Sequence, residues 1–397
     1  MVSGLLNKLG FWDKDIKKKW KLHKDWVWFH AVSVGELNAI SPLIENVRLL
    51  NPNLSVMISC TTEAGYSLAK NKTQNTDISV IYFPFDIPLI LNNLFNIINL
   101  KLVIIAETEI WPNLLHLCQK KNVPVILVNA RLSDKSFRNY YLLKFYFKNV
   151  VNLYSKILTQ SEEDTNKFIK LGAIKERTKT LGNIKFGSIN ITNANEALDN
   201  IFNNNKLNPI YITFASTHPG EEEIAIVIYK ALRSQFPDLR LCIAPRHVNR
   251  TREICNLIEK HNLNPVCRTK NITRFSNNDI FILDTIGELK GLYKHSKVTI
   301  LGGTFVKVGG HNILEPISES SYTIIGPYDY KIKDLSKKFK DTGALVQVKD
   351  TSELISRIKV ALCNNELRQE AINKGLKLIK ENGNILGNIV NEIREFL

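Results

Sequence analysis

The sequence predicts an α/β protein with two parallel sheets, and three observations carry that expectation. Strand-length apolar runs alternate with segments of helical spacing from Trp26 onward. The alternation stops in an Asn-rich stretch, residues 187–207, and starts afresh at Pro209. With 397 residues and 44% apolar content, the chain can bury more than one core, which fits two domains. The expected domains are residues 25–186 and 208–397, joined by 187–207 as a linker, with a last helix long enough to reach back over the first.

The formal net charge is +15, which favours an anionic partner: nucleic acid, a phosphorylated substrate or an acidic membrane surface. Charge alone does not choose among them. The six cysteines are scattered without a Cys-x-x-Cys pair and read as reduced, small apolar residues of a cytosolic setting. No window of about eighteen apolar residues suits a transmembrane helix, and no signal-peptide core opens the chain, so it reads as cytoplasmic or peripheral.

Residues 1–24 interleave Leu5, Leu6, Leu9, Phe11, Trp12, Ile16 and Trp20 with lysines. That pattern suits a helix lying at an anionic bilayer surface, or a solvated tail whose few apolar residues pack on the domain. Trp26 to Val32 is a strand, Ser33 to Glu36 a turn, and Leu37 to Leu50 a helix. Glu36 therefore sits at the C-terminal edge of the sheet, where open α/β folds bind ligands. It is either a first-turn carboxylate favoured by the helix dipole or a general base whose pKa is lifted by apolar flanks.

Ser55 to Thr61 and Ile78 to Phe83 are further strands, and Leu102 to Ala106 runs into Glu107 and Glu109, with Pro112 in the next helical turn. Val123 to Val128 leads to Asn129, Arg131 and the N-cap Ser133 of a helix carrying Phe137 to Phe147. Tyr154 to Gln160 is the last strand expected here, and Gly182 to Phe186 ends the half. Lys185 is either a solvated lysine or one held between apolar neighbours after a glycine turn.

In the second half, Pro209 to Ala215 stops at Ser216, Thr217 and His218 before Glu221 to Glu223 begin a helix, which is either plain capping or an anion loop. Leu239 to Ala244 delivers Pro245, Arg246 and His247 to the sheet edge. The planar fork of Arg246 suits phosphate, and an ordinary surface arginine is the alternative. Ile280 to Asp284 precedes Gly287, Glu288 and Leu289, which enter a helix ending near Tyr293. Val298 to Leu301 reaches Gly302, Gly303, Gly309 and Gly310, then His311, Asn312 and Glu315 on a helix's first turn. Those glycines either only make turns or, with backbone N–H groups and a helix start, cradle a phosphate while Glu315 holds ribose hydroxyls. Tyr322 to Ile325 is the last strand, and helices fill Thr351 to Cys363 and Asn365 to Phe396.

No G-x-G-x-x-G follows the first strand and no P-loop motif is present, which weighs against a dinucleotide dehydrogenase and a P-loop NTPase. No His-x-x-x-His or paired cysteines suggest zinc, and no cofactor is expected. The segments FHAVSVGE (29–36), ETEIWPN (107–113), NARLS (129–133), GNIKF (182–186), ASTHPGEE (215–222), APRH (244–247) and the glycine stretch 302–316 together resemble the 3-deoxy-D-manno-octulosonic acid (Kdo) transferases of lipopolysaccharide assembly. They follow the family order over nearly the whole chain.

The resemblance implies a GT-B fold, two Rossmann-like domains with parallel sheets facing a central cleft, and transfer of Kdo from CMP-Kdo to the lipid A precursor lipid IVA with inversion. Through it Glu36 matches the general base, and Glu107 and Lys185 match transition-state stabilisers. Pro245, Arg246, Gly287, Glu288, Leu289, Asn312, Ile313, Leu314 and Glu315 match the CMP contacts, with no metal. It further implies a place at the cytoplasmic face of the inner membrane. Family members usually carry an apolar N-terminal anchor before the basic segment, and this chain begins near where that anchor would end; either the anchor has been removed or attachment rests on residues 1–24. The rival readings are a GT-B transferase using a UDP-sugar and a basic nucleic-acid-binding protein. Against the latter, the basic residues spread through both halves without a nucleic-acid motif.

Overall fold

A computed structural model describes residues 2–22, 25–74, 76–188, 196–203, 209–270 and 278–397. The chain divides into two compact units, Met1–Ser188 with Asn382–Leu397, and Ile189–Glu381. The expected linker falls at this boundary. Residues 189–195 and 204–207 of it lie outside the described residues, and Glu196–Asn203 is a helix that buries Leu198, Ile201 and Phe202 in the second unit's core.

The first unit is built on β1 (Trp26–His30), β2 (Ser55–Cys60), β3 (Ser79–Tyr82), β4 (Leu100–Ala106), β5 (Val125–Ala130), β6 (Lys156–Thr159) and β7 (Thr178–Thr180), in the order β3-β2-β1-β4-β5-β6-β7. All of its strand pairs are parallel. Strands covered on both faces read as continuous apolar runs, and every residue of β1 is buried. The strand order reverses between β1 and β4, so the loops leaving these neighbours diverge and open a crevice at their C-terminal ends.

The second unit repeats the plan with β8 (Ile210–Thr217), β9 (Leu239–Pro245), β10 (Asn264–Cys267), β11 (Asp279–Ile282), β12 (Ser296–Leu301), β13 (Tyr322–Ile325) and β14 (Leu345–Gln347). Their order is β10-β11-β9-β8-β12-β13-β14, again all parallel, and the reversal falls between β8 and β12.

Four features depart from the sequence reading. The edge strands β7, β10 and β14 are additional, because runs as short as Thr-Lys-Thr carry no hydrophobic period to read. The helix after Ser133 breaks at Leu143, whose ψ of 34° leaves the helical region, giving Asp134–Leu142 and Lys144–Val151. The single C-terminal helix is two, Asn365–Glu381 and Ile385–Arg394, parted by a turn at residues 382–384.

The second of these belongs to the first unit. It buries Ile385, Ile389 and Ile393, and its Glu392 takes Lys156 at 2.7 Å and Lys179 at 2.8 Å. Gly182, at φ +102°, lies so close to Ile385 that a Cβ would approach within 2.4 Å. The fourth departure is the N-terminal segment, which folds as helices Val2–Lys8 and Lys14–Leu22. Trp12 and Trp20 are buried in the first core, while Leu5, Leu6, Leu9, Phe11 and Ile16 stay exposed. Among the described residues no helix is long and apolar enough to cross a membrane.

Candidate functional site

The first unit gathers carboxylates at the edge where its strand order reverses. Ser33 caps the helix Val34–Leu50, its Oγ accepting from Glu36 N at 3.4 Å and donating to Glu36 Oε1 at 3.2 Å. The carboxylate reaches back over the helix start, and Val32 N donates to Oε2 at 2.7 Å. This is a Ser-x-x-Glu cap in which the carboxylate reaches one residue past Ser33 to Val32 N, so one set of bonds both starts the helix and fixes the side chain. Burial pushes the Glu36 carboxyl up to about 7, with the neighbouring charge of Glu107 next in effect and Glu109 adding to it. The Val32 and Ser33 donors oppose the shift.

Glu107 leaves β4 with a left-handed φ of 61°, a conformation that costs a non-glycine residue about 1 kcal/mol, and its N–H donates to Val128 O at 2.9 Å. Lys185 Nζ stands 3.9 Å from Glu107 Oε1. Its turn is located by a chain of amides. Asn129, buried and left-handed at the end of β5, accepts from Ile184 N at 3.0 Å. Gln160 Nε2 donates to Asn129 O at 3.0 Å, and Asn183 Nδ2 donates to Gln160 Oε1 at 3.0 Å. Lys185 N closes the set on Asn183 Oδ1 at 3.0 Å.

Behind this edge His30, fully buried at the end of β1, hydrogen-bonds Ser59 Oγ through Nδ1 at 2.8 Å. Burial lowers its pKa to about 3, which leaves a neutral wall with Phe83 and Trp111. Glu109 is likewise held above the ordinary carboxylate range by burial and then by Glu107. A carboxylate that titrates near neutrality, with a lysine close to its acidic neighbour, can accept a hydroxyl proton and return it.

The second unit brings a cation and closely packed backbone to its own strand ends. The N–H groups of Gly302, Gly303, Gly309 and Gly310, expected to cradle a phosphate, instead bond Ala215 O, Glu221 and, for the last two, Gly303 O. Gly302 passes so close to Ser216 that a Cβ would lie 2.3 Å from its carbonyl, so the loops after β8 and β12 touch backbone to backbone. Glu221, 1% exposed, ties the two together: Oε2 accepts from His218 N at 2.9 Å and Gly303 N at 2.8 Å, and Oε1 from Phe305 N at 3.0 Å. His218 and His311 face each other through Nε2 atoms 2.8 Å apart, with rings parallel. Burial lowers both pKa values, that of His311 to about 4, and the charge of Arg246 lowers them further.

Arg246 leaves β9 exposed, its N–H bonded to Thr217 O at 3.0 Å, and Pro245 is the buried last residue of that strand. Asn312 Nδ2 donates to Glu315 Oε1 at 3.0 Å. Burial raises the Glu315 carboxyl while Asn312, Lys290 and Arg246 counter it. Ile313 and Leu314 are buried anchors. The helix expected here is one short turn, Leu314–Ser318, so His311 and Asn312 precede it and only Glu315 lies on it. Gly287, at φ +92°, precedes Glu288, which takes Arg268 at 3.1 Å and the Thr285 hydroxyl, and Leu289 opens the helix Leu289–His295 one strand further out, after β11.

Glu36, Glu107 and Lys185 thus share one edge, and Arg246, Asn312 and Glu315 share another, in the company of His218 and His311. Asn129, Gln160, Asn183 and Glu221 act on both edges by holding loops. The sequence signalled Asn129 and Asn183 only as members of NARLS and GNIKF, and Glu221 only as the start of a helix and a member of ASTHPGEE. Among the described residues no group of three or more His, Cys, Asp or Glu side chains is placed to hold a metal ion.

Comparison with known proteins agrees across the chain. A family model described as 3-deoxy-D-manno-octulosonic-acid transferase (kdotransferase) matches residues 4–188. A curated bifunctional glycosyltransferase/methyltransferase of Fusobacterium nucleatum is 33% identical over 94% of this chain, which spans 59% of that relative's length. The 3-deoxy-D-manno-octulosonic acid transferase of Haemophilus influenzae is 31% identical, covering 94% of this chain and 87% of its own, and that of Rickettsia typhi is 33% identical, covering 94% and 79%. Among solved structures, the UDP-GlcNAc 2-epimerase of Neisseria meningitidis has a TM-score of 0.55 at 13% identity over 94% of this chain and 100% of its own. The glycotransferase of kitacinnamycin has a TM-score of 0.55 at 10% identity over 94% and 99%. These structural likenesses show the fold, which is GT-B.

Proposed function

The chain belongs to the 3-deoxy-D-manno-octulosonic-acid transferase family, and on that premise we propose that it transfers Kdo from CMP-Kdo to lipid IVA with inversion, Glu36 serving as general base. The observation that carries this is the Glu36 carboxyl, fixed by Val32 and Ser33 and raised to about 7 beside Glu107. A sugar hydroxyl is a weak nucleophile. Its oxygen attacks the anomeric carbon of Kdo, its proton passes to Glu36, and the bond to the CMP phosphate breaks with the electron pair leaving on that phosphate. Glu107 fits the stabilisation of positive charge at the developing oxocarbenium ion, and Lys185 the carboxylate that Kdo carries beside that carbon.

In the second unit the exposed Arg246 guanidinium suits the departing monophosphate, and Glu315 suits ribose hydroxyls, while the glycine N–H groups are taken up within the loops, Gly302 by Ala215 O, Gly303 by Glu221, and Gly309 and Gly310 by Gly303 O. Pro245, Gly287, Glu288, Leu289, Asn312, Ile313 and Leu314 complete the CMP contacts in this reading. The acceptor is a phosphorylated glycolipid, so the work is done at the cytoplasmic face of the inner membrane, consistent with the basic surplus.

Mass analysis of lipid IVA after incubation with CMP-Kdo tests the proposal. The expected result is a product heavier by one or more Kdo units. Turnover with a UDP-hexose and none with CMP-Kdo would transfer the assignment to a UDP-sugar enzyme of the same fold.

A further inference from the structure

We propose that the kinked helix pair Asp134–Leu142 and Lys144–Val151 is a wedge that docks the protein on an anionic bilayer. At the kink Leu142 is 80% exposed and Phe145 79%, with Tyr141, Leu143 and Tyr146 each about half exposed. Five large apolar side chains in six positions form a concentration of exposed apolar surface that a chain folding in water alone does not need. The kink itself produces it. With the helix broken at Leu143, neither half rolls these residues onto the core, and the first half buries none of its side chains.

The charge around the wedge specifies the occupant. Lys135, Arg138 and Lys148 are exposed on the same two helices, and Lys144 Nζ lies 5.1 Å from the centre of the Tyr141 ring. From Lys135 to Ser161 the sequence has no Asp or Glu, and the carboxylate of Asp134, just before, is taken by Lys167 at 2.8 Å. Exposed apolar side chains on helices that also carry exposed cations, with tyrosines among them, match acyl chains below a layer of anionic headgroups.

The root of the wedge is firm. Val150 and Val151 are buried, Tyr140 packs on Phe147 at 4.6 Å, and Tyr154, just beyond, donates its hydroxyl to Glu109 O at 2.7 Å. The wedge therefore stands beside the carboxylate edge that handles the acceptor. This last point rests on the preceding reading in taking the acceptor to be a lipid; the docking itself does not. The basic N-terminal segment also leaves Leu5, Leu6, Leu9, Phe11 and Ile16 exposed, but these are spread from residue 5 to residue 16, and its two tryptophans are buried in the core.

Flotation of the full chain with phosphatidylethanolamine–phosphatidylglycerol vesicles, against phosphatidylcholine vesicles, tests this without nucleotide or acceptor, so its outcome is independent of whether Kdo is transferred. The chain is expected to float with the anionic vesicles. Leu142→Asp with Phe145→Asp is expected to cut the bound fraction about tenfold, with the unfolding midpoint unchanged because both positions are exposed. Lys135→Glu with Lys148→Glu is expected to lower binding to anionic vesicles only. Undiminished flotation of the Leu142/Phe145 variant overturns the proposal. So does release of the chain by Leu6→Asp with Phe11→Asp while the Leu142/Phe145 variant still floats, or a solution dimer that the Leu142/Phe145 changes disperse.

Discussion

In the first unit the loops leaving β1 and β4 carry Glu36, Glu107 and Glu109, two of them held above the ordinary carboxylate range. In the second, the loops leaving β8, β9 and β12 carry His218, Arg246, His247 and glycines at φ of +68° to +100°, with His218 and His311 pushed below the ordinary imidazole value by burial. Both sheets have seven parallel strands and reverse at their first strand, so topology does not account for the contrast. What differs is how each edge deals with charge. One crowds like charges against an apolar wall and so raises a carboxyl to about 7. The other buries Glu221 as a backbone clamp and leaves the Arg246 side chain exposed. A parallel-sheet edge is thus a neutral frame, and the chemistry lies in the few residues that follow each strand.

That contrast can be broken most directly at Glu36. Glu36→Gln keeps the cap geometry and removes the base, and turnover is expected to fall by about a thousandfold with donor affinity kept, as measured by product mass against time. Near-parent turnover would make the first edge merely structural. Next in size, Arg246→Ala is expected to raise the KM for CMP-Kdo about ten- to a hundredfold, the cost of one charge-assisted bond, with little change in unfolding midpoint because the side chain is exposed. An unchanged KM would strip the second edge of its anion role.

The finest effect is on pH dependence. The base must be ionised, so the rate is expected to rise with pH to a plateau, with its midpoint near the Glu36 value of about 7. Because the Glu107 charge opposes that ionisation, Glu107→Gln is expected to move the rising limb to lower pH, whatever it does to the plateau. A limb that stays put would mean the two carboxylates do not sense each other.

The sheets were legible in the sequence because buried parallel strands are unbroken apolar runs, as in Trp26 to His30 and Leu102 to Ala106. The edge strands were not, since Thr178–Thr180 and Leu345–Gln347 are pinned by their neighbours and not by any pattern of their own. Glu36 and Arg246 could be placed at strand ends by counting along the chain. The Asn129–Gln160–Asn183 relay could not, because it joins three loops that are distant in sequence, and neither could the clamp from Glu221 to Gly303 and Phe305 across about eighty residues. The break at Leu143 was equally hidden, since helical spacing continues through it. That at residues 382–384 was not, because Asn382-Gly383-Asn384 is a turn signal that the helical spacing on either side masked.

The return of Ile385–Arg394 to the first unit makes the second an insert in the gene, entered and left through neighbouring seams of one host. Residues 189–381 form one uninterrupted stretch of the chain, whereas a fragment stopped at residue 188 lacks one of the helices that cover its own sheet and leaves the seat of three isoleucines open to water. Anyone dividing this gene for calorimetry or labelling must therefore splice the last sixteen residues back onto the host.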